Sequence, residues 1–189
     1  MDFKQKVLAK YQVGEQEADA VREYNVKHAE RDAEDDDNYK VGSLDKYVKD
    51  LGSIQTDNGT LHMHLFEYTP APTRRKRLYF GPDELKIILS TTTDTHEPGV
   101  GSLLLGRIPP YEENKFGVKL VVLRPEWRGK GLAEKLYKAA VQHLGELYSD
   151  ILVSKKAGGI WDRLAKDDKL NVEFATKKTA SRHRLTMKE

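Results

Sequence analysis

Residues 116–147 read FGVKLVVLRPEWRGKGLAEKLYKAAVQHLGEL and decide the fold of this chain. The short apolar run 118–123, closed by Pro125, has the length and composition of a buried strand. Beyond a turn that contains glycines, apolar residues recur every four positions from Leu132 to Leu144. This spacing predicts an amphipathic helix that lies on a core. The stretch is therefore a strand, a glycine-bearing turn and a helix.

The turn contains Gly129 and Gly131, with Arg128 and Lys130 beside them. The first amides of a helix have no partner within the helix and carry the positive end of its dipole. Glycines let a phosphate approach those amides, and the two cations add formal charge next to it. The turn is thus a candidate phosphate site, and the alternative is a tight turn whose glycines only relieve backbone strain.

Two commoner phosphate loops do not fit this turn. No Gly-Lys-Ser/Thr follows Gly131, and Glu134 stands where a dinucleotide fingerprint has its third glycine. The pattern that fits is Arg-x-x-Gly-x-Ala, formed by Arg128, Gly131 and Ala133 and preceded by Leu-Arg-Pro-Glu-Trp at 123–127. This string closely resembles the acetyl-coenzyme A motif of the GNAT superfamily of N-acetyltransferases.

The resemblance implies an α/β (α+β) fold of GNAT type. Its sheet is mixed and mostly antiparallel, with flanking helices around the central strand–glycine loop–helix unit. It also implies acetyl-CoA as acyl donor, with the pyrophosphate on the loop amides and a backbone amide of the central strand polarising the thioester. The residues expected to bind the coenzyme are Val122, Leu123, Arg128, Gly129, Lys130, Gly131, Leu132 and Ala133.

A second family segment, Asn-x-x-Ala-x-x-x-Tyr, is matched in spacing by Ser154, Ala157 and Trp161. In the family the tyrosine protonates the departing sulfur. An indole N–H is far too weak an acid for that step, although it can donate a hydrogen bond. Ser154 and Trp161 are the catalytic candidates by position. The general base is sought in two loops, at Asp94, His96, Glu112 and Glu113.

These residues predict an acetyl-CoA-dependent N-acetyltransferase that transfers the acetyl group directly to an amine in a ternary complex. The alternative is a catalytically idle module of the same fold that binds coenzyme A or a protein partner. Trp161 and the absence of a carboxylate from 118–123 favour this alternative. The stretch 149–164 is also similar to GNAT-like proteins of bacteriophages. The acceptor stays open among a protein lysine, an N-terminus, a small amine and a modified base.

The sequence of 189 residues contains no cysteine, which excludes disulfides, thiolate metal sites and a cysteine nucleophile. Neither a signal-peptide core nor a membrane-spanning apolar run is present, so we expect a cytoplasmic protein, in the host cytoplasm if the chain is viral. Residues 1–60 hold nine basic and fourteen acidic residues, and the remainder holds 23 basic and 16 acidic ones. The basic part suits a polyanionic coenzyme, whereas nucleic acid is not an expected partner because no ladder of aromatic residues accompanies it.

Residues 1–42 are expected to form a polar helical extension, and 43–189 the acetyltransferase domain. The acidic cluster at 34–37 is expected to be solvated, because consecutive carboxylates repel one another and seldom converge on a metal. We expect the extension to cover an apolar face of the domain, or to bind a second copy or another protein. Its residues 1 to about 37 are expected to lie outside the coenzyme site.

Further elements follow from turn signals and periodicity. Ser43 is expected to cap a short helix that ends at Gly52, and a turn is expected at 57–59. His62 and His64 share a strand face, but no third ligand stands nearby, so we expect solvent-facing positions and no metal site. Strands are predicted at 61–65, 85–89, 100–108, 150–153, 171–176 and 184–188, a short helix at 157–164, and a basic hairpin tip at 73–77.

Overall fold

The computed structural model of the chain describes residues 36–42, 45–68, 84–108, 115–149, 153, 155–174 and 182–188. Ser154, Glu112, Glu113 and the basic run 73–77 therefore lie outside the described residues, as does nearly all of the predicted extension. The strands are β1 (Lys46–Thr56), β2 (Gly59–Tyr68), β3 (Glu84–Ser90), β4 (Gly101–Arg107), β5 (Phe116–Leu123), β6 (Glu146–Tyr148), β7 (Leu170–Glu173) and β8 (Arg184–Met187). The helices are α1 (Leu132–Leu144) and α2 (Lys155–Leu164), with short 3-10 helices at Asp36–Tyr39 and Pro125–Trp127.

The eight described strands form one sheet in the order β1-β2-β3-β4-β5-β6-β8-β7. The first five make an antiparallel meander, because each pairs with its neighbour in sequence. Helix α1 then crosses over to β6, which lies parallel to β5. β8 pairs antiparallel with both β6 and β7. The fold is thus α/β, with a mixed and mostly antiparallel sheet, which confirms the predicted fold class and the predicted closing hairpin.

The helix predicted from Ser43 to Gly52 is wrong, because most of this stretch belongs to β1. The two-residue turn at 57–58 is followed by Gly59, whose φ of 109° is accessible mainly to glycine. This turn folds β1 back onto β2, where it gains interstrand hydrogen bonds that an isolated short helix lacks. Irregularities between Tyr47 and Lys49, and between Asp50 and Ser53, shift the register. They hide the alternation that would have identified a strand in the sequence.

The described strand in the region of the one predicted at 150–153 is β6, which begins earlier in the chain. Helix α1 ends at Leu144, Gly145 follows with a φ of 83°, and β6 begins at the next residue. Residues 150–152 lie outside the described residues, and Val153 has no regular structure. Because β6 is only three residues long and follows the helix directly, apolar periodicity does not separate it from α1.

Helix α1 covers one face of the sheet with its apolar stripe, as predicted. Leu132, Leu136 and Val141 are buried in a single core with Leu61, Leu65, Ile87, Leu89, Leu103 and Leu105 from the strands. Fully burying one such side chain stabilises the fold by about 1.5–3 kcal/mol. The helix contacts β3, β4, β5, β6 and β8, so it joins the meander to the C-terminal strands.

The opposite face of the sheet buries polar groups that the sequence did not reveal. His64 is 4% exposed and neither of its ring nitrogens has a hydrogen-bond partner, so the expectation that it faces solvent is wrong. Its ring lies 6.3 Å from the ring of Tyr47 and 6.4 Å from that of His62. Glu84 and Lys119 form a largely buried ion pair near the other end of β3.

Candidate functional site

The glycine loop is held between two buried anchors. Trp127 precedes it and Leu132 follows it, and both side chains belong to the hydrophobic core. Between them, residues 128–130 are exposed. Gly129 and Gly131 have φ values of 75° and 69°, a left-handed conformation that side-chain-bearing residues seldom adopt. The loop is therefore a tight turn whose backbone faces solvent while both of its ends are fixed in the core.

The loop ends at the N-terminus of α1, which carries no side-chain cap. Gly131 is the N-cap residue, and the N–H of Lys135 donates to its carbonyl at 3.3 Å. The amides of residues 132–134 precede this bond, so they have no acceptor inside the helix. A Cβ at Gly129 would meet no atom within 4 Å, and one at Gly131 only the carboxylate of Glu134 at 3.7 Å. The two glycines beside these amides therefore leave open the positions that a side chain would otherwise occupy.

Charged side chains around the loop favour an anion. Lys130 places its ammonium 5.0 Å from the ring centre of Trp127. Arg128 donates from Nε to the carbonyl of Leu123 at 2.9 Å, which ties the loop to the end of β5. The one carboxylate close to Gly131, that of Glu134, is paired with Arg163 of α2, whose Nε donates to it at 2.5 Å. This pairing offsets a charge that would otherwise oppose a phosphate.

β5 lies between β4 and β6 in the sheet. It pairs with β4 along its length, and among the described residues its pairing with β6 joins Gly117 to Tyr148. The N–H of Arg124 donates to the carbonyl of Val100 at 2.9 Å, so this pair is hydrogen-bonded. Antiparallel pairs alternate, and therefore the backbone of Val122 faces β4 while that of Leu123 faces away from it. The Leu123 amide is thus directed to the side of β5 away from β4, and the Val122 amide is not.

Trp161 lies in the core, on the sheet side of α2. Its side chain is 1% exposed, and its ring contacts those of Tyr137 at 5.7 Å and His183 at 5.5 Å, both edge to face. Burial raises the pKa of the Tyr137 phenol well above its ordinary value, so this hydroxyl stays protonated. This is the environment of an aromatic residue that packs in the core, and a role of Trp161 at the sulfur of the bound thioester stays a prediction.

The proposed general bases remain unassigned. Asp94 and His96 are exposed in the loop between β3 and β4, where the N–H of His96 donates to the Asp94 carboxylate at 2.9 Å. His183 was not among the predicted site residues, although it contacts Trp161 and directly precedes β8. Partial burial lowers the pKa of His183 and the negative charge of Asp162 opposes this, so the imidazole is mainly neutral near pH 7. No sequence signal links His183 to Trp161, because the strand pairing of β6 with β8 brings them together.

The described part of the chain has neither a metal-binding cluster nor a membrane-spanning helix. No three His, Cys, Asp or Glu side chains in it are grouped so that they could hold a metal ion. Its helices are too short or too polar to cross a membrane.

The chain is similar to solved structures of acetyltransferases, although no known family model and no curated protein matches it. An IAA acetyltransferase from Bacillus cereus ATCC 14579 superposes with a TM-score of 0.35 and 13% identity over 55% of this chain and 77% of that chain. Nourseothricin acetyltransferase gives 0.35 and 13% over 80% and 89% of the two chains. An acetyltransferase of the GNAT family from Staphylococcus aureus Mu50 gives 0.32 and 11% over 55% and 68%.

Proposed function

We propose that this chain is an acetyl-CoA-dependent N-acetyltransferase that transfers the acetyl group directly to an amine. The observation that carries the proposal is the uncapped N-terminus of α1, which follows an open glycine loop a few residues after the end of β5. Amides 132–134 would hold the pyrophosphate, helped by Arg128 and Lys130. Bound acetyl-CoA would supply an acetyl group activated as a thioester.

The described residues support this chemistry at one more point. Acetyl transfer to an amine develops negative charge on the carbonyl oxygen as the C–N bond forms, before the C–S bond breaks. The Leu123 amide, turned away from β4, would donate to that oxygen. The amine must lose one proton and the departing thiolate gains one, so the net proton balance is zero. A thiolate is a tolerable leaving group, and general acid–base help at this step is worth about 10²-fold.

A second candidate function is a module that binds coenzyme A without turnover. The burial of Trp161 favours it, because the residue at the family's acid position is packed in the core rather than open to a ligand. Both candidates predict coenzyme binding at the same loop, and they differ only in turnover.

Two measurements on the purified full chain test the proposal. Calorimetry with coenzyme A and with acetyl-CoA should show a one-to-one complex, and absence of binding would refute both candidates. Thiol release from acetyl-CoA should then be followed against a panel that contains a lysine peptide, an N-terminal peptide, small diamines and aminoglycosides. Release that depends on an amine supports the transferase. Tight binding without release above the no-amine rate supports the binding module.

A further inference from the structure

Arg124 directly follows β5 and begins the turn into the coenzyme loop. Its backbone N–H donates to the carbonyl of Val100 at 2.9 Å, and its Nε donates to the carbonyl of Gly99 at 3.1 Å. Its own carbonyl accepts from the N–H of Trp127 at 2.9 Å, which starts the short 3-10 helix before the loop. The position of Arg124 therefore fixes both the last pair of β4 with β5 and the entry to the loop.

The fourth contact of Arg124 comes from a remote part of the sequence. Its guanidinium lies 4.5 Å from the ring centre of Tyr39, a cation–π geometry. Tyr39 is 1% exposed although it belongs to a short 3-10 helix near the edge of the described chain. The arrangement is unlike a surface contact, because burial removes the competing solvent that weakens such pairs.

The backbone next to Tyr39 is fixed to the same region of the sheet. The Tyr39 carbonyl accepts from the N–H of Gly99 at 2.6 Å, and the Lys40 carbonyl accepts from the ammonium of Lys86 at 2.6 Å. Gly99 fills its site completely, since a Cβ there would lie 2.6 Å from Ile88 and 3.2 Å from the Tyr39 carbonyl. The Arg124 side chain thus makes two contacts that fix it, a cation–π contact with the ring of Tyr39 and a hydrogen bond to the carbonyl of Gly99.

We propose that Tyr39 is a positioning residue for the coenzyme loop. It acts through Arg124, whose fixed position sets the direction of the Leu123 amide and the start of the turn that carries Gly129 and Gly131. This proposal rests on the proposed coenzyme site and extends it. It assigns a role in ligand binding to a residue that lies 85 positions before Arg124 in sequence and was expected to belong to a separate extension.

A double-mutant cycle on coenzyme A affinity tests the proposal. Tyr39→Leu should weaken binding about 3- to 10-fold, which corresponds to the usual strength of a partly desolvated cation–π pair. Arg124→Met should weaken it similarly, and the double variant should bind about as tightly as either single one. Tyr39→Phe is the matched control and should bind within about 2-fold of wild type, because the ring and the backbone bond remain.

The alternative role for Tyr39 is core packing only. In that case Tyr39→Leu lowers the free energy of unfolding in urea but leaves coenzyme affinity unchanged, or its effect on affinity is the same with and without Arg124. Either outcome would overturn the proposal. If Tyr39→Leu does not fold, Arg124→Met removes the same contact from its half-buried side and must show the affinity loss alone.

A second readout separates this proposal from the coenzyme site itself. If the wild type binds no coenzyme A, the proposed function fails, and the test moves to hydrogen exchange in the free protein. Tyr39→Leu should then speed exchange of the hydrogen-bonded amides of Arg124, Trp127 and Arg128 while the amides at 141–144, in the last turn of α1, exchange as in wild type. Unchanged exchange at these three amides would contradict the positioning role.

Discussion

A charge placed at Gly131 should separate electrostatic recognition of a pyrophosphate from a turn that is merely tight. The change is Gly131→Asp, with Gly131→Asn as its matched control. Both side chains tolerate a φ of 69° better than other non-glycine residues, and their first atom finds only the Glu134 carboxylate at 3.7 Å. Backbone strain and shape are therefore nearly equal in the two variants, and the difference between them is one negative charge.

The expected size of this effect follows from the geometry of the helix end. A carboxylate on the N-cap residue would stand about 5 Å from a pyrophosphate held by amides 132–134. Two unit charges at that distance repel by about 0.8 kcal/mol in water and about 3 kcal/mol at an effective dielectric constant of 20. With two charges on the pyrophosphate, Gly131→Asp should bind coenzyme A at least about 15-fold more weakly than Gly131→Asn.

Calorimetry at two salt concentrations provides the assay. The affinity difference between Asp and Asn should shrink as salt rises from about 0.05 to 0.5 M, because exposed charges are screened more strongly. Thermal unfolding of the two free variants should coincide within a few degrees, which excludes misfolding as the cause. If the Asp and Asn variants bind coenzyme A with equal affinity at low salt, no phosphate rests on this helix end and the site is wrong.

Three further perturbations test other parts of the chain. Deleting residues 1–35 should leave coenzyme A affinity near wild type, and it should lower stability or change the assembly state seen in gel filtration. Deleting 1–42 should also weaken coenzyme A binding, because Tyr39 is lost. A 1–35 deletion that folds but cannot bind coenzyme A would contradict this. Trp161→Tyr should raise steady-state thiol release by up to about 10²-fold if this position faces the sulfur, and equal rates in two proteins of equal coenzyme affinity would show that it only packs. Lys138 donates a hydrogen bond to Asp167 and lowers the pKa of that carboxyl, so its stabilisation is present above about pH 4 and is lost as pH falls through the lowered pKa. Asp167→Asn should therefore reduce the melting temperature at pH 7 but have little effect at pH 2, and an equal drop at both would exclude the charge as its origin.

Helix α1 and the loop before it could be predicted from the sequence because their signals are local. The four-residue apolar period and the glycines on either side of Lys130 lie within one stretch, and the structure has the helix from Leu132 to Leu144. The hairpin of β1 and β2 was half predicted. Its turn at 57–59 is a local signal, whereas the spacing of Tyr47, Val48 and Leu51 fits a helix as well as an irregular strand.

The contacts that the sequence did not reveal join residues that are far apart in the chain. Arg124 meets Tyr39, Lys119 pairs with Glu84, and His183 contacts Trp161, each through tertiary packing that no local periodicity encodes. The burial of polar residues such as His64 and Lys86 could not be predicted for the same reason. Alternation along a single strand suggests that one face is exposed to solvent, but residues distant in sequence determine whether that face is covered.

The crossover from β5 through α1 to β6 bears on how the chain folds during synthesis. The five strands of the meander and helix α1 leave the ribosome before β6, and each meander strand pairs with its predecessor. Contacts of this kind close short loops, so we expect the meander and α1 to form a protease-resistant intermediate while the C-terminal strands are still inside the exit tunnel. Stalled chains of increasing length would show this as protection of β2 to β5 that begins once Gly145 has emerged. Protection that begins only after β8 has emerged would mean that the C-terminal strands are needed for the whole sheet to fold.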